Sequence, residues 1–186
     1  MKRSFDIVVS AVALFALAVP LLMLMGLVKI TSQGPALYWS KRVGRNGKTF
    51  CMPKLRTMGI HTPELPTHEL QNADSYITSL GKFLRRSSLD ELPQLYSVLI
   101  GDMSVVGPRP MIPQYKELVL RRQEAGVDRL RPGITGWAQV NGRDNITTDE
   151  KFLFDVSYLE RRSFLFDLVI IYRTIKYVFL GKGVHH

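Results

Sequence analysis

Between Asp6 and Lys29 the chain carries no charge. The run Ile7 to Val28, IVVSAVALFALAVPLLMLMGLV, is 22 residues long, and a helix of that length reaches across the hydrocarbon core of a bilayer. Ala16-Leu17-Ala18 has the small-x-small form of a signal-peptidase site, but the apolar run continues for ten residues beyond it, so the segment reads as a membrane element that is retained. Its flanks set a topological problem. Lys2 and Arg3 precede it, and Lys29, Lys41, Arg42, Arg45 and Lys48 follow, so the positive-inside rule draws both ends to the cytoplasmic face. A straight span satisfies one end only. A helix that enters, bends near Pro20 and returns satisfies both, because proline removes a backbone donor and favours a break. Proline also occurs in ordinary spanning helices, so the residues alone leave both topologies open.

Residues 31–186 contain no further stretch apolar enough to span and read as one body resting on the bilayer, with 1–30 as the membrane element. A chain of 186 residues, 46% hydrophobic, builds a single core. Its net charge of +9 implies an anionic partner: nucleic acid, acidic lipid or a phosphorylated substrate. The single cysteine, Cys51, excludes an internal disulfide. Residues 36–39 and 49–52 read as strands of a small hairpin around Asn46-Gly47. The polar stretch 59–76 reads as a loop, and its His61, Glu64, His68 and Glu69 match no standard zinc spacing. A basic amphipathic helix follows over 77–86, then a helix over 112–125 and two more near the C-terminus. The stretch Arg131 to Gly136 cannot continue a helix. The last helix, from Phe164 towards Leu180, suits either core packing or the lipid interface, with Arg173 and Lys176 snorkelling outward.

The stretch SSLDELPQL, residues 87–95, places two acids between two serines and a proline. Ser88 and Glu91 have the form of a capping box. With Ser88 as cap, however, Pro93 falls at the fifth helical position, where its missing N–H leaves a carbonyl unpaired. With Asp90 at or near the cap, Pro93 falls in the first turn, and the helix terminus favours an ionised Asp90. Adjacent acids in such a turn point about 100° apart, so they serve different tasks. A cap and a reactive pair both remain open on these residues. Cations accompany the acids in the sequence: Lys54, Arg56, Arg85, Arg109 between two prolines, Arg131 and Arg143. Arginine's planar fork suits phosphate oxygens. Arg121, Arg122, Arg161 and Arg162 read as a solvated basic face. A membrane-anchored nucleic-acid module would use the aromatics Tyr38 and Trp39 beside Lys41, which also suit a core.

Taken in order, the proline-broken segment, Lys54-Leu55-Arg56-Thr57-Met58, Ser88 to Leu95, Gly101-Asp102-Met103-Ser104, Gly107-Pro108-Arg109-Pro110, Arg131 to Gly136 and Gln139-Val140-Asn141-Gly142-Arg143 resemble the small monotopic phosphoglycosyl transferases, or bacterial sugar transferases, over nearly the whole chain. The resemblance implies an α+β fold, mostly helical, with a re-entrant N-terminal membrane helix, a small β-hairpin and amphipathic interfacial helices. It implies a place on the cytoplasmic face of the bacterial inner membrane and a two-step reaction without nucleic acid. Asp90 attacks the sugar-bearing phosphate of a UDP-sugar and releases UMP; polyprenol phosphate, such as undecaprenyl phosphate, then takes the phosphosugar. Glu91, with Asp90, is implied as the Mg²⁺ holder, and Lys54, Arg85 and Arg109 as basic catalytic positions. Arg56, Arg131, Pro132, Gly133, Thr135, Gly136, Gln139, Asn141 and Arg143 are implied substrate contacts. Two departures stand out: Val19 precedes Pro20 where the typical member has serine, and Ser40 replaces the glutamine of a Gln-x-Arg-x-Gly pattern. Larger members add spanning helices and a domain upstream, so this chain resembles the minimal catalytic form.

Overall fold

A computed structural model describes residues 1–63, 72–142 and 146–180. Arg143 and the loop residues Glu64, His68 and Glu69 lie outside these. The apolar segment forms two helices, α1 (Lys2–Ala16) and α2 (Ala18–Thr31), bent by 62° at a break of one residue, Leu17. The expected break near Pro20 therefore falls three residues before it. Pro20 offers no N–H to the carbonyl of Ala16 and its ring crowds that group, whereas Leu21 N–H still donates to the Leu17 carbonyl at 2.8 Å. Among the described residues no single helix is long and apolar enough to cross a membrane, but the bent pair passes that test together.

Both ends of the pair are fastened to the same body. Lys2 Nζ donates to Asp167 at 2.6 Å, to the Tyr158 hydroxyl and to the Val106 carbonyl. Arg3 donates to the carbonyls of Val98 and Leu99, near the C-terminus of α5 (Gln94–Ile100), where a cation complements the helix dipole. Asp6, buried, accepts from the Ser104 hydroxyl and the Val105 N–H. At the other end Val28 is buried against Leu55 and Leu84. Between these anchors Val12, Phe15, Val19, Leu22 and Met23 are exposed.

The hairpin forms as expected, with β1 (Leu37–Val43) antiparallel to β2 (Thr49–Leu55) and Tyr38 opposite Lys54. Asn46 and Gly47 turn it with φ of 56° and 71°, the left-handed region that these two residues tolerate best. Alternation puts Ser40, Arg42, Phe50, Met52 and Lys54 on its inward face.

A second sheet was not legible. β3 (Ser104–Val106) and β4 (Gly133–Thr135) pair in parallel, so the stretch read as a loop after Arg131 contains a strand. Glycines permit this close crossing: a Cβ on Gly107 would lie 2.3 Å from the Arg131 carbonyl oxygen, and one on Gly136 2.1 Å from that of Gly107. Within the polar stretch 59–76, residues Ala73–Tyr76 form a short helix, α3, and Met58 bridges to Ile77. The remaining helices are α4 (Ser79–Arg86, capped by the Thr78 hydroxyl), α6 (Lys116–Glu124, shorter than expected), α7 (Trp137–Val140), α8 (Thr148–Arg161, begun by a Thr147/Glu150 capping box) and α9 (Phe164–Leu180). Core packing is seen on one side of α9, where Asp167 and Ile170 are buried, while Leu165, Val169 and Tyr172 are exposed. Arg122, assigned from sequence to a solvated face, is buried instead.

Candidate active site

Three elements bring cations to two acids. β2 carries Lys54 inward, and the chain then runs beneath α4 at Thr57. Gly81 makes that approach possible, since a Cβ there would lie 2.1 Å from the Thr57 carbonyl oxygen. Thr57 in turn accepts from Arg85 Nε at 2.9 Å, which orients the arginine at the end of α4.

The acids follow immediately. Ser88 turns the chain with φ 57°, whereas a capping residue is extended, so the capping-box form of Ser88 and Glu91 has no structural counterpart. Asp90 does not cap the helix either: the acids occupy a separate 3-10 turn, Leu89–Glu91, and α5 starts at Gln94 with Pro93 at its N-cap position. The missing proline donor thus falls at the junction of two helical pieces, and the Leu92 N–H still reaches the Leu89 carbonyl.

Arg109 enters from the far side on Gly107-Pro108-Arg109-Pro110, and this loop is tied down at every step. Gly133 N–H donates to the Pro108 carbonyl at 2.9 Å, Arg122 Nη1 to that of Arg109 at 2.9 Å, Arg42 Nη1 to that of Pro110 at 3.4 Å, and Val43 N–H to that of Met111 at 2.8 Å. Arg122 is itself held by a buried ion pair with Asp155 of α8. Buried Gly133 of β4 therefore belongs to the mounting of Arg109.

Lys54 Nζ and Arg109 Nη2 converge on one oxygen, Glu91 Oε1, at 2.8 and 3.0 Å. Lys54 also stands 4.0 Å from Asp90 Oδ2. Burial works to raise the Glu91 carboxyl, but the charges and hydrogen bonds of Lys54 and Arg109 outweigh it and hold the group well below the usual carboxylate range. Asp90 goes the other way. It is 7% exposed, and desolvation raises its carboxyl above the ordinary value against the pull of Lys54, with the Glu91 charge adding to the rise. The helix terminus thus does not hold Asp90 low, as its place in the sequence implied. Two adjacent carboxylates have been driven apart by environment, one a fixed anion and one of raised basicity.

The other sequence candidates do not join this cluster through direct contacts. Arg56 Nε donates to the Pro35 carbonyl and Arg131 Nε to that of Gly101. The Thr135 hydroxyl pairs with that of Thr174, and Asn141 Nδ2 donates to the Trp137 carbonyl. Pro132, Gly133 and Gly136 are buried at the β3–β4 crossing. Gln139 keeps both amide atoms buried without a hydrogen-bond partner among the described residues. One cation was missed by sequence reasoning: Arg42, which lies near enough to Glu91 and Arg109 for each charge to act on it. The alternation Ser40-x-Arg42, opposite Phe50-x-Met52, was the signal that placed it on the inward face.

A buried carboxylate of raised basicity, beside a second one clamped by lysine and arginine, is an arrangement suited to group transfer at an anionic centre, on a body that also carries a bent apolar helix pair. The chain belongs to the bacterial sugar transferase family, whose model it matches over residues 1–181. It is 39% identical to the exopolysaccharide production protein ExoY of Sinorhizobium fredii, with 98% of this chain and 87% of the relative covered. It is also 41% identical to the undecaprenyl-phosphate glucose phosphotransferase of Komagataeibacter xylinus and 37% identical to the UDP-glucose:undecaprenyl-phosphate glucose-1-phosphate transferase of Escherichia coli. Those two are longer: 94% and 100% of this chain match 35% and 41% of their lengths.

Proposed function

We propose that this protein transfers a sugar 1-phosphate from a UDP-sugar to undecaprenyl phosphate and releases UMP, through a covalent intermediate on Asp90. The observation that carries the reading is the pairing of buried Asp90 with Glu91, whose Oε1 is shared by Lys54 and Arg109. Family membership and the names of the longer relatives support the general reaction. In the first step an Asp90 carboxylate oxygen forms a bond to the sugar-bearing phosphorus, and the bond from that phosphorus to the oxygen of UMP breaks. In the second, an oxygen of undecaprenyl phosphate attacks the same phosphorus and Asp90 leaves as carboxylate. Arg109 and Lys54 face the charge that moves between these oxygens, and a dry site strengthens that attraction. Raised basicity makes Asp90 the better nucleophile of the two acids, provided it has lost its proton.

Among the described residues no group of three metal-ligating side chains occurs, but two adjacent carboxylates are the hard oxygen donors that suit Mg²⁺ when phosphates complete its shell. Asp90 and Glu91 would hold it, and it would supply charge neutralisation at the phosphates. The body is proposed to rest on the cytoplasmic face, and support for the re-entrant topology comes from the anchors. Lys2, Arg3 and Asp6 at one end and Val28 at the other dock on the same body, which a straight crossing would separate.

The test is covalent. Incubation with a panel of UDP-sugars and Mg²⁺ in detergent is expected to release UMP and leave a phosphosugar on Asp90, and chelation is expected to stop release until Mg²⁺ is restored. If Asp90→Asn still releases UMP at the wild-type rate, the nucleophile is elsewhere.

A further inference from the structure

Arg42, like Arg85, is a cation near the acids that the reaction as described leaves unemployed. Its stem runs along the inward face of β1, and Nε donates to the hydroxyl of buried Ser40 at 3.0 Å while Nη1 reaches the Pro110 carbonyl. That carbonyl follows Arg109 by one residue, and the Val43–Met111 bridge fixes β1 to the same loop. The guanidinium is therefore oriented by a side chain and a backbone group, neither of which neutralises it.

Its surroundings are electrically lopsided. Burial, and then the neighbouring Arg109 charge, push the Arg42 guanidinium down to about 10, and the charge of Glu91 offsets only part of this. Glu91 is already shared between Lys54 and Arg109. Among the described residues four cations, Lys54, Arg109, Arg42 and Arg85, stand around Asp90 and Glu91, with Asp74 acting on Arg85 as a third acid. A partly buried excess of positive charge costs stability unless an anion joins it. Such a cost is common where a binding site is organised in advance of its ligand.

Resting on the reading of the site as a phosphoglycosyl transferase, we propose that Arg42 is a phosphate-binding residue of this site, donating to an anionic oxygen of the nucleotide diphosphate opposite Arg109. Ser40 and the Pro110 carbonyl orient the guanidinium so that its fork faces the donor. Arg42 then contributes to donor affinity.

The experiment is thermal unfolding of the detergent-solubilised full chain with and without UDP, for wild type, Arg42→Met and Arg42→Lys. The wild-type melting temperature is expected to rise with UDP concentration, as for any ligand that binds the native state alone. Arg42→Met is expected to melt at or above the wild-type temperature without ligand, since a buried repulsion has gone, yet to need about ten- to a hundred-fold more UDP for the same rise. Arg42→Lys, which keeps the charge but not the fork, falls between them. A lower ligand-free melting temperature combined with an unchanged UDP response makes Arg42 merely structural and overturns the proposal. If the wild type does not respond to UDP at all, the UDP-sugar reading itself fails, and the proposal with it.

Discussion

Breaking the Arg122–Asp155 pair separates what holds the fold from what aims the site. Asp155 is 1% exposed and Arg122 9%, and burial raises the Asp155 carboxyl against the pull of Arg122. Removing either partner strands the other charge in the interior, which costs about 3–5 kcal/mol. For a chain of this size that is a fall of roughly 6–20 °C in melting temperature. Arg122→Met and Asp155→Val are each expected to fall in that range. Combined, they remove both charges, so the only remaining loss is the hydrogen bond to the Arg109 carbonyl, worth about 1–3 kcal/mol if that oxygen stays dry. The double variant is therefore expected to be more stable than either single one. Its activity is not expected to follow, because the backbone of Arg109 has lost its clamp in both Arg122 variants. Melting temperature and UMP release measured on all four proteins close the cycle. A double variant whose loss equals the sum of the single losses would show that the pair is not coupled. One that releases UMP at the wild-type rate would show that Arg122 does not position Arg109.

Opposite shifts in neighbouring acids predict opposite stability profiles. The folded state raises Asp90 above its unfolded value, so burying its charge costs stability as pH climbs through the folded pKa; Asp90→Asn is expected to melt above wild type at pH 7, with the gap closing below about pH 4. Glu91 is depressed, so its contribution is present above the unfolded value of about 4.3 and is lost on acidification; Glu91→Gln is expected to melt below wild type at pH 7. Melting curves against pH check both, and a fall for Asp90→Asn at pH 7 contradicts the burial account. Gly136→Ala sets a Cβ against the Gly107 carbonyl and is expected to lower both melting temperature and UMP release, because the displaced backbone leads directly to Arg109; unchanged turnover in a folded variant would rule out the β3–β4 crossing as part of the mounting.

What the sequence disclosed depended on how local its cause was. The bent apolar pair, the Asn46-Gly47 hairpin and the helices α4, α8 and α9 each follow from neighbours a few positions apart, through proline geometry, turn preference or helical period. The β3–β4 pairing joins residues about thirty positions apart, and three-residue strands carry too little alternation to announce themselves; only the glycines, which seemed to mark a loop, recorded the close crossing. The acids show the same limit from the other side. Counting from Pro93 correctly disfavoured the Ser88 cap, yet helix-terminus reasoning alone made Asp90 an easily ionised group. Its raised basicity arises from burial and from Glu91, and the cations that compete with both come from β2, α4 and the Arg109 loop, positions that no local window contains. Lys2 and Arg3 likewise read as topological charges. In the fold they are anchors, and Lys2 ties the bent apolar pair to the strand leading to Arg109.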